Sequence, residues 1–171
     1  MPPSCLALEA VLELIDSKGE GRALPADRFL RGPLETARKD DELLTAVVFP
    51  PAGAKTGSAY KKWGLVTDAL PVVGVCAFVE LADDGRCRYA RLAIGGLATG
   101  PRRAKAGEEA LAGVDAGDVD TIGAAADEAA ASTETQSDIW ADSSYRKALI
   151  AALARDVIAT AFTRAQSGRS A

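Results

Sequence analysis

Histidine is absent from the 171 residues. Within this chain that excludes Ser-His-Asp and Cys-His catalysis and any histidine-ligated metal. Cysteine is scarce. Cys5, Cys76 and Cys87 are the three present, and no two form a CxxC pair. An odd, scattered set is no disulfide framework and cannot supply the four ligands of a structural zinc site. Basic residues are in deficit, 20 against 24 acidic ones for a net charge of −4, which is the opposite of a general nucleic-acid binder. No apolar run approaches the roughly 18–20 residues of a membrane span. The start, Met1-Pro2-Pro3-Ser4-Cys5, lacks the basic n-region and apolar core of a secretion signal. A cytoplasmic chain with neither nucleic-acid nor membrane partners is therefore expected. If it takes part in catalysis, a cofactor or another chain does the chemistry.

What is present is enough for a packed core. Apolar residues make up 48% of the chain, and the length suits one ordinary domain, or a small domain carrying an appendage. Alanine is concentrated after Lys105, so the back half reads helical while the front half is mixed and richer in β-branched and aromatic residues.

Leu6 to Ile15 alternates in part and reads as a strand, or as a short helix running into one. Ser17 to Gly21 is a turn by its glycines, and Leu24-Pro25-Ala26-Asp27-Arg28-Phe29-Leu30 is one helical turn with proline near its start. Leu43 to Phe49 is a strand stopped by Pro50-Pro51, Gly53 to Ser58 is a polar loop, and Ala59 to Trp63 is extended again. Val72 to Leu81 and Arg86 to Ile94 flank Asp83-Asp84-Gly85 and form an antiparallel hairpin. With the turn centred near Asp84, Cys76 falls opposite about position 92 and Cys87 opposite about 81. The two thiols are then too far apart to bond, and buried small-residue packing is the reading for both.

Three helices are expected after that. The first runs from Arg102 to Leu111, and the second is capped by Asp118 or Asp120 and ends near Ser132. The third starts at Ser143 or Ser144 and reaches about Arg164, with Tyr145, Leu149, Ala152, Leu153 and Val157 on one apolar face. The expected fold class is α+β: a small antiparallel sheet of three or four strands packed with about three helices.

The order of these segments resembles the flavoprotein subunit of molybdenum hydroxylases, as in carbon monoxide dehydrogenase and the FAD domain of xanthine dehydrogenase. The resemblance is carried by Leu24-Pro25 to Phe29 with Gly32-Pro33, and by Asp41-Glu42-Leu43-Leu44 with Pro50. It continues in Tyr60-Lys61-Lys62 with Asp68, in Arg91 to Ala104 around Gly95-Gly96, in Glu108 or Glu109 with Leu111 and Gly113, and in Tyr145-Arg146-Lys147. It implies that residues 1–40 are the end of an FAD-binding domain, that 41–165 are the flavoprotein C-terminal domain, and that 166–171 are a polar tail.

The resemblance also implies function. The chain would be the C-terminal part of an FAD-containing electron-transfer subunit, forming one wall of the flavin site and contacts to molybdenum-binding and iron–sulfur subunits. Substrate choice would belong to the molybdenum subunit. Leu44 would touch the flavin ring. Lys61 would approach it, where a cation stabilises the anionic reduced flavin. Plain core packing for Leu44 and a solvated strand lysine for Lys61 stand beside these roles. Tyr145 and Arg146 read as helix-start packing and surface pairing, and Asp40-Asp41-Glu42 as a solvated turn rather than a metal site. Gly95-Gly96 reads as a strand-terminal turn and Thr121-Ile122-Gly123-Ala124 as a chance likeness to a phosphate loop.

The glycine-rich loops that cradle the dinucleotide phosphates in that family have no counterpart before Leu24. The chain alone is therefore expected to bind FAD weakly and to be inactive. The rest of the FAD-binding domain is expected to be encoded upstream of Met1, and its strands to flank Leu6–Ile15. Without them the expectation is a homodimer through the residues before Asp41, or disorder there. The alternative left open is a freestanding structural or interaction module of the same fold, or a truncated, non-functional fragment.

Overall fold

The structure, a computed structural model, describes residues 1–66 and 70–168. Asp68 lies outside the described residues, as does the end of the expected polar tail. The chain opens with a one-and-a-half-turn helix, α1 (Pro2–Ala7), whose proline at the start has no intrahelical hydrogen bond to lose. Strand β1 (Val11–Asp16) follows. Its alternation turns Leu12 and Leu14 inward and leaves Glu13 and Ile15 exposed. Gly19, at φ 85°, closes a hairpin to β2 (Gly21–Pro25), and the Asp16 carboxylate accepts the Lys18 and Glu20 amides in that turn.

After the single turn α2 (Ala26–Phe29), two short strands, β3 (Leu30–Gly32) and β4 (Glu35–Thr36), pair with each other. Strand β5 (Glu42–Val48) then returns to β1, so the first sheet has the order β2-β1-β5. The neighbours of the apolar Leu6–Ile15 segment therefore come from this chain, on both sides of β1, and not from an upstream domain. Leu12, Leu14 and Phe29 bury one face of this sheet with α1, and the same cluster takes in Cys76 and Ala93 from the second sheet.

That second sheet is antiparallel throughout, with the order β6-β7-β8-β9: β6 (Thr56–Trp63), β7 (Val73–Leu81), β8 (Cys87–Gly95) and β9 (Arg102–Arg103). The β7–β8 hairpin is as expected. Cys76 pairs with Ala93, one residue from the expected partner because of a bulge at Glu80/Leu81, and Cys87 pairs with Leu81. All three cysteines are free and buried. β7 and β8 are buried on both faces, which is why they read as near-continuous apolar runs. One face meets α1; the other meets the helical layer of α3 (Lys105–Ala110), α4 (Val119–Ala131) and α5 (Ser143–Gln166). The fold class is α+β with small antiparallel sheets.

Three local expectations are corrected. The first helix begins at Lys105, because Arg102 and Arg103 pair with Ile94 and Ala93 as a short edge strand. Strand β6 begins at Thr56, inside the expected loop. The inward stripe of α5 is Arg146, Ile150, Leu153, Val157, Ala161 and Phe162; Ala152 faces water, and Tyr145, half-exposed, packs edge-on against the Trp63 ring as helix-start packing. The helix also lies close over β6. A Cβ at Gly57 would collide with the Ala161 carbonyl oxygen and come within 2.5 Å of the Ala165 nitrogen.

Candidate functional site

Between α1, the β3–β4 pair and the second sheet lies an open cleft of about 700 Å³. Four pieces of backbone build it. The start of α1 supplies Pro2 and Pro3, the β3–β4 turn supplies Leu34, and the outer face of β6 supplies Tyr60 and Lys62. The ends of β7 and β8 supply Gly74, Gly95 and Gly96. Its lining is mostly apolar, with few polar groups, in the size range of small-molecule and cofactor sites.

The glycines have specific reasons. Gly96 sits at φ 84° in the turn that ends β8, and a Cβ there would strike the Val72 carbonyl. A Cβ at Gly74 would stand 2.7 Å from the Tyr60 hydroxyl, so glycine there makes room for that ring. Burial, followed by the neighbouring Cys76, pushes the Tyr60 phenol above its ordinary range. At the rim, Leu34 adopts φ 59° and is fully exposed. A branched apolar residue held in the left-handed region and presented to water is a strained arrangement, of the kind that clusters at binding sites.

Behind the cleft stands Arg146, which is 3% exposed. Its guanidinium donates to the carbonyls of Val72 (2.7 Å) and Gly96 (3.3 Å) and to the Asp138 carboxylate (2.5 Å). It thereby ties the α5 start, the β7 entry, the β8 end and the α4–α5 loop to one point. Among the described residues its Nε has no hydrogen-bond partner. The surface-pairing reading of Arg146 is thus corrected. The sequence does carry a signal for its burial, since Arg146 stands in register with Ile150, Leu153 and Val157 on the helix.

The two residues expected at the flavin lie apart from the cleft lining. Leu44 is on β5, the edge strand of the first sheet, opposite Leu14, and stays 43% exposed, so it is not packed in the core. Lys61 points to the helical side of β6 and pairs with Asp156 of α5 at 2.5 Å. Strand parity explains this. Gly57, Ala59, Lys61 and Trp63 share the face under α5, while Tyr60 and Lys62 share the face toward the cleft. Tyr60, Lys62 and Leu34 are the cleft residues that sequence reasoning did not select.

The acidic turn is corrected in part. Asp40 and Asp41 are exposed, but Glu42 is buried. Arg22 grips it with two hydrogen bonds of 2.6 and 2.8 Å, and the Lys39 amide donates to it at 2.7 Å. The Arg22 hydrogen bonds, then that amide, hold its carboxyl down at about 2. On β8, Arg91 bonds the Ala7 carbonyl and pairs with Glu9, locking α1 to the second sheet. Among the described residues no group of three or more His, Cys, Asp and Glu could hold a metal ion, and no helix is long and apolar enough to cross a membrane.

A mostly apolar cleft of this size with a few polar groups has the form of a small-molecule or cofactor site. The CO dehydrogenase flavoprotein C-terminal domain family matches residues 58–161, and the FAD binding domain in molybdopterin dehydrogenase matches residues 1–52. The chain belongs to the CO dehydrogenase flavoprotein family. The cleft lies where the two matched segments meet.

Solved structures agree. Carbon monoxide dehydrogenase from Hydrogenophaga pseudoflava, in a form lacking the Mo-pyranopterin moiety of its cofactor, is 29% identical. It superposes with a TM-score of 0.84 over 95% of this chain and 56% of its own. Quinoline 2-oxidoreductase from Pseudomonas putida 86 is 27% identical, with a TM-score of 0.84, 96% of this chain and 56% of its own. Reconstituted CO dehydrogenase from Oligotropha carboxidovorans is 26% identical, with a TM-score of 0.80 and the same coverage. The chain spans about half the length of these relatives. None of the curated proteins compared matches it.

Proposed function

We propose that this chain forms one wall of the flavin site in the FAD-containing subunit of a molybdenum hydroxylase, and contributes contacts to molybdenum-binding and iron–sulfur subunits. The observation that supports this reading is the apolar cleft at the junction of the FAD-binding and C-terminal segments. Bound FAD would supply the redox chemistry. The residues present suit its ring end: proline and leucine side chains and glycine backbone offer flat apolar surface, and Lys62 and Glu35 bring one charge of each sign to the lining. Leu34 and Tyr60 would hold the ring and keep water from it. The electrostatic role considered for Lys61 falls in this proposal to Lys62, because parity turns Lys62 toward the cleft. The phosphates would be held by glycine-rich loops outside residues 1–171, and Leu44 would act at most from the edge of the first sheet.

The experiment is FAD titration of the assembled flavoprotein carrying Leu34→Asp. A second carboxylate at the rim, beside Glu35, should shift the flavin absorption bands and weaken FAD binding by about tenfold, the equivalent of about 1.4 kcal/mol. An unchanged spectrum and affinity would remove the cleft from the flavin site.

A further inference from the structure

A second cleft, of about 550 Å³, shares Leu30 and Pro101 with the apolar one. Its charged lining comes from four places: Glu9 after α1, Asp27 and Arg28 on α2, Arg102 and Arg103 on β9, and Lys105 at the start of α3. Four cations thus meet two anions, in a chain whose net charge is −4.

The carboxylates act on only part of this charge. Glu9 pairs with Arg91 at 2.8 Å and stands 3.9 Å from Arg103. Arg103 is gripped by Glu108 through two hydrogen bonds of 2.8 and 2.7 Å. Those bonds, with Glu9 and Asp27 adding their charge, hold the Arg103 guanidinium above its ordinary range against the burial that opposes it. With Arg91 and Glu108 counted behind the lining, five cations face three anions. Among the described residues, Arg28, Arg102 and Lys105 are exposed and have no ion pair and no side-chain hydrogen bond. Against them stands Asp27, which no ion pair engages.

Cations brought to one cleft from α2, β9 and α3 repel one another, and a bound oxyanion removes that repulsion. Guanidinium groups offer paired N–H donors to phosphate, and the ammonium adds a point charge. The cleft is larger than an inorganic ion needs and lies in the range of small-molecule sites. Leu6, Pro25, Leu30 and Pro101 offer apolar surface to the remainder of an organic phosphate.

We infer that Arg28, Arg102 and Lys105 bind the phosphate groups of a small organic ligand other than FAD. That the ligand is not FAD rests on the flavin reading above, which gives the FAD phosphates to loops outside residues 1–171; the anion site does not.

The test is calorimetric titration of the full chain with ADP and with pyrophosphate, at low and at physiological salt. ADP should bind more tightly than pyrophosphate, and both more weakly as salt rises. The triple variant Arg28→Gln/Arg102→Gln/Lys105→Gln should bind ADP about tenfold more weakly or worse. Its thermal midpoint should be no lower than that of the wild type, because the three side chains are exposed and unpaired. Arg31→Gln, which removes an exposed cation outside the lining, should leave the affinity unchanged. A wild type that binds neither probe, a triple variant of equal affinity, or an equal loss from Arg31→Gln overturns the anion site. Each leaves the flavin reading standing, which Leu34→Asp tests by itself. Pyrophosphate bound as tightly as ADP gives the site to the inorganic ion and overturns the organic ligand. In the assembled, FAD-loaded flavoprotein the ADP affinity should persist; its loss would give the cleft to the diphosphate of FAD and overturn a second ligand.

Discussion

Lys61 pairs with Asp156 across β6 and α5, while Lys62, the next residue, turns to the opposite face beside Tyr60. One peptide unit thus separates a cation engaged with the helical layer from one at the cleft. In the assembled flavoprotein, Lys62→Ala should lower the flavin midpoint by about 30 mV, the two-electron equivalent of about 1.4 kcal/mol lost from the reduced anion. Lys61→Ala should leave the potential within error and change stability little, since an exposed ion pair contributes at most about 1 kcal/mol. Redox titration of both variants decides between them; a fall with Lys61→Ala alone would return the role to Lys61.

Glu42 makes stability depend on pH. Its carboxyl is held near 2 in the folded chain, below the 4.5 of a free one, chiefly by Arg22. A depressed carboxylate contributes stability that is present above the unfolded value and lost as pH falls through the folded one. Urea midpoints should therefore drop between about pH 4.5 and 2, and Glu42→Gln should flatten that part of the curve. Parallel curves for wild type and variant across the window would show that Glu42 is not the group responsible.

Arg146→Leu keeps the apolar stem but leaves the Val72 carbonyl without its buried donor, the Gly96 carbonyl with Gln136 alone and the Asp138 carboxylate without its cation. A loss of about 3 kcal/mol is expected. The exchange of the amides near Gly96 should accelerate more than that of the β7–β8 centre. A thermal midpoint unchanged from wild type would mean the clamp is replaceable by water.

Phe162 fills the contact between α5 and the second sheet at 1% exposure. Phe162→Ala should cost about 3–5 kcal/mol through lost transfer energy and a residual cavity, measured by chemical denaturation.

The chain by itself should bind FAD weakly, because ring contacts alone hold only part of the dinucleotide and no paired glycine-rich loop stands before Leu24. Fluorescence quenching on flavin titration measures this. Tight, stoichiometric binding would show a self-sufficient site.

The sequence by itself determined the local and strongly periodic parts. The β7–β8 hairpin was legible because a buried strand must be apolar along its length and Asp83-Asp84-Gly85 supplies the turn, with Gly85 at φ 84°. Asp118 announced α4 because a carboxylate at that position accepts a free amide, here that of Thr121. The family was legible because its short segments keep their order. What only the tertiary structure decided is orientation. Apolar spacing alone placed Leu153 and Val157 correctly on the buried face of α5 but put Tyr145 and Ala152 with them, whereas Arg146 is drawn inside by the distant carbonyls of Val72 and Gly96. Two adjacent lysines are equivalent as letters; the close approach of α5 at Gly57 sets which face of β6 is covered, and so turns Lys61 away from the cleft and Lys62 toward it. The partners of β1 likewise came from β2 and β5 rather than from outside, because backbone pairing is chosen among all strands within reach and not by the segment that needs it.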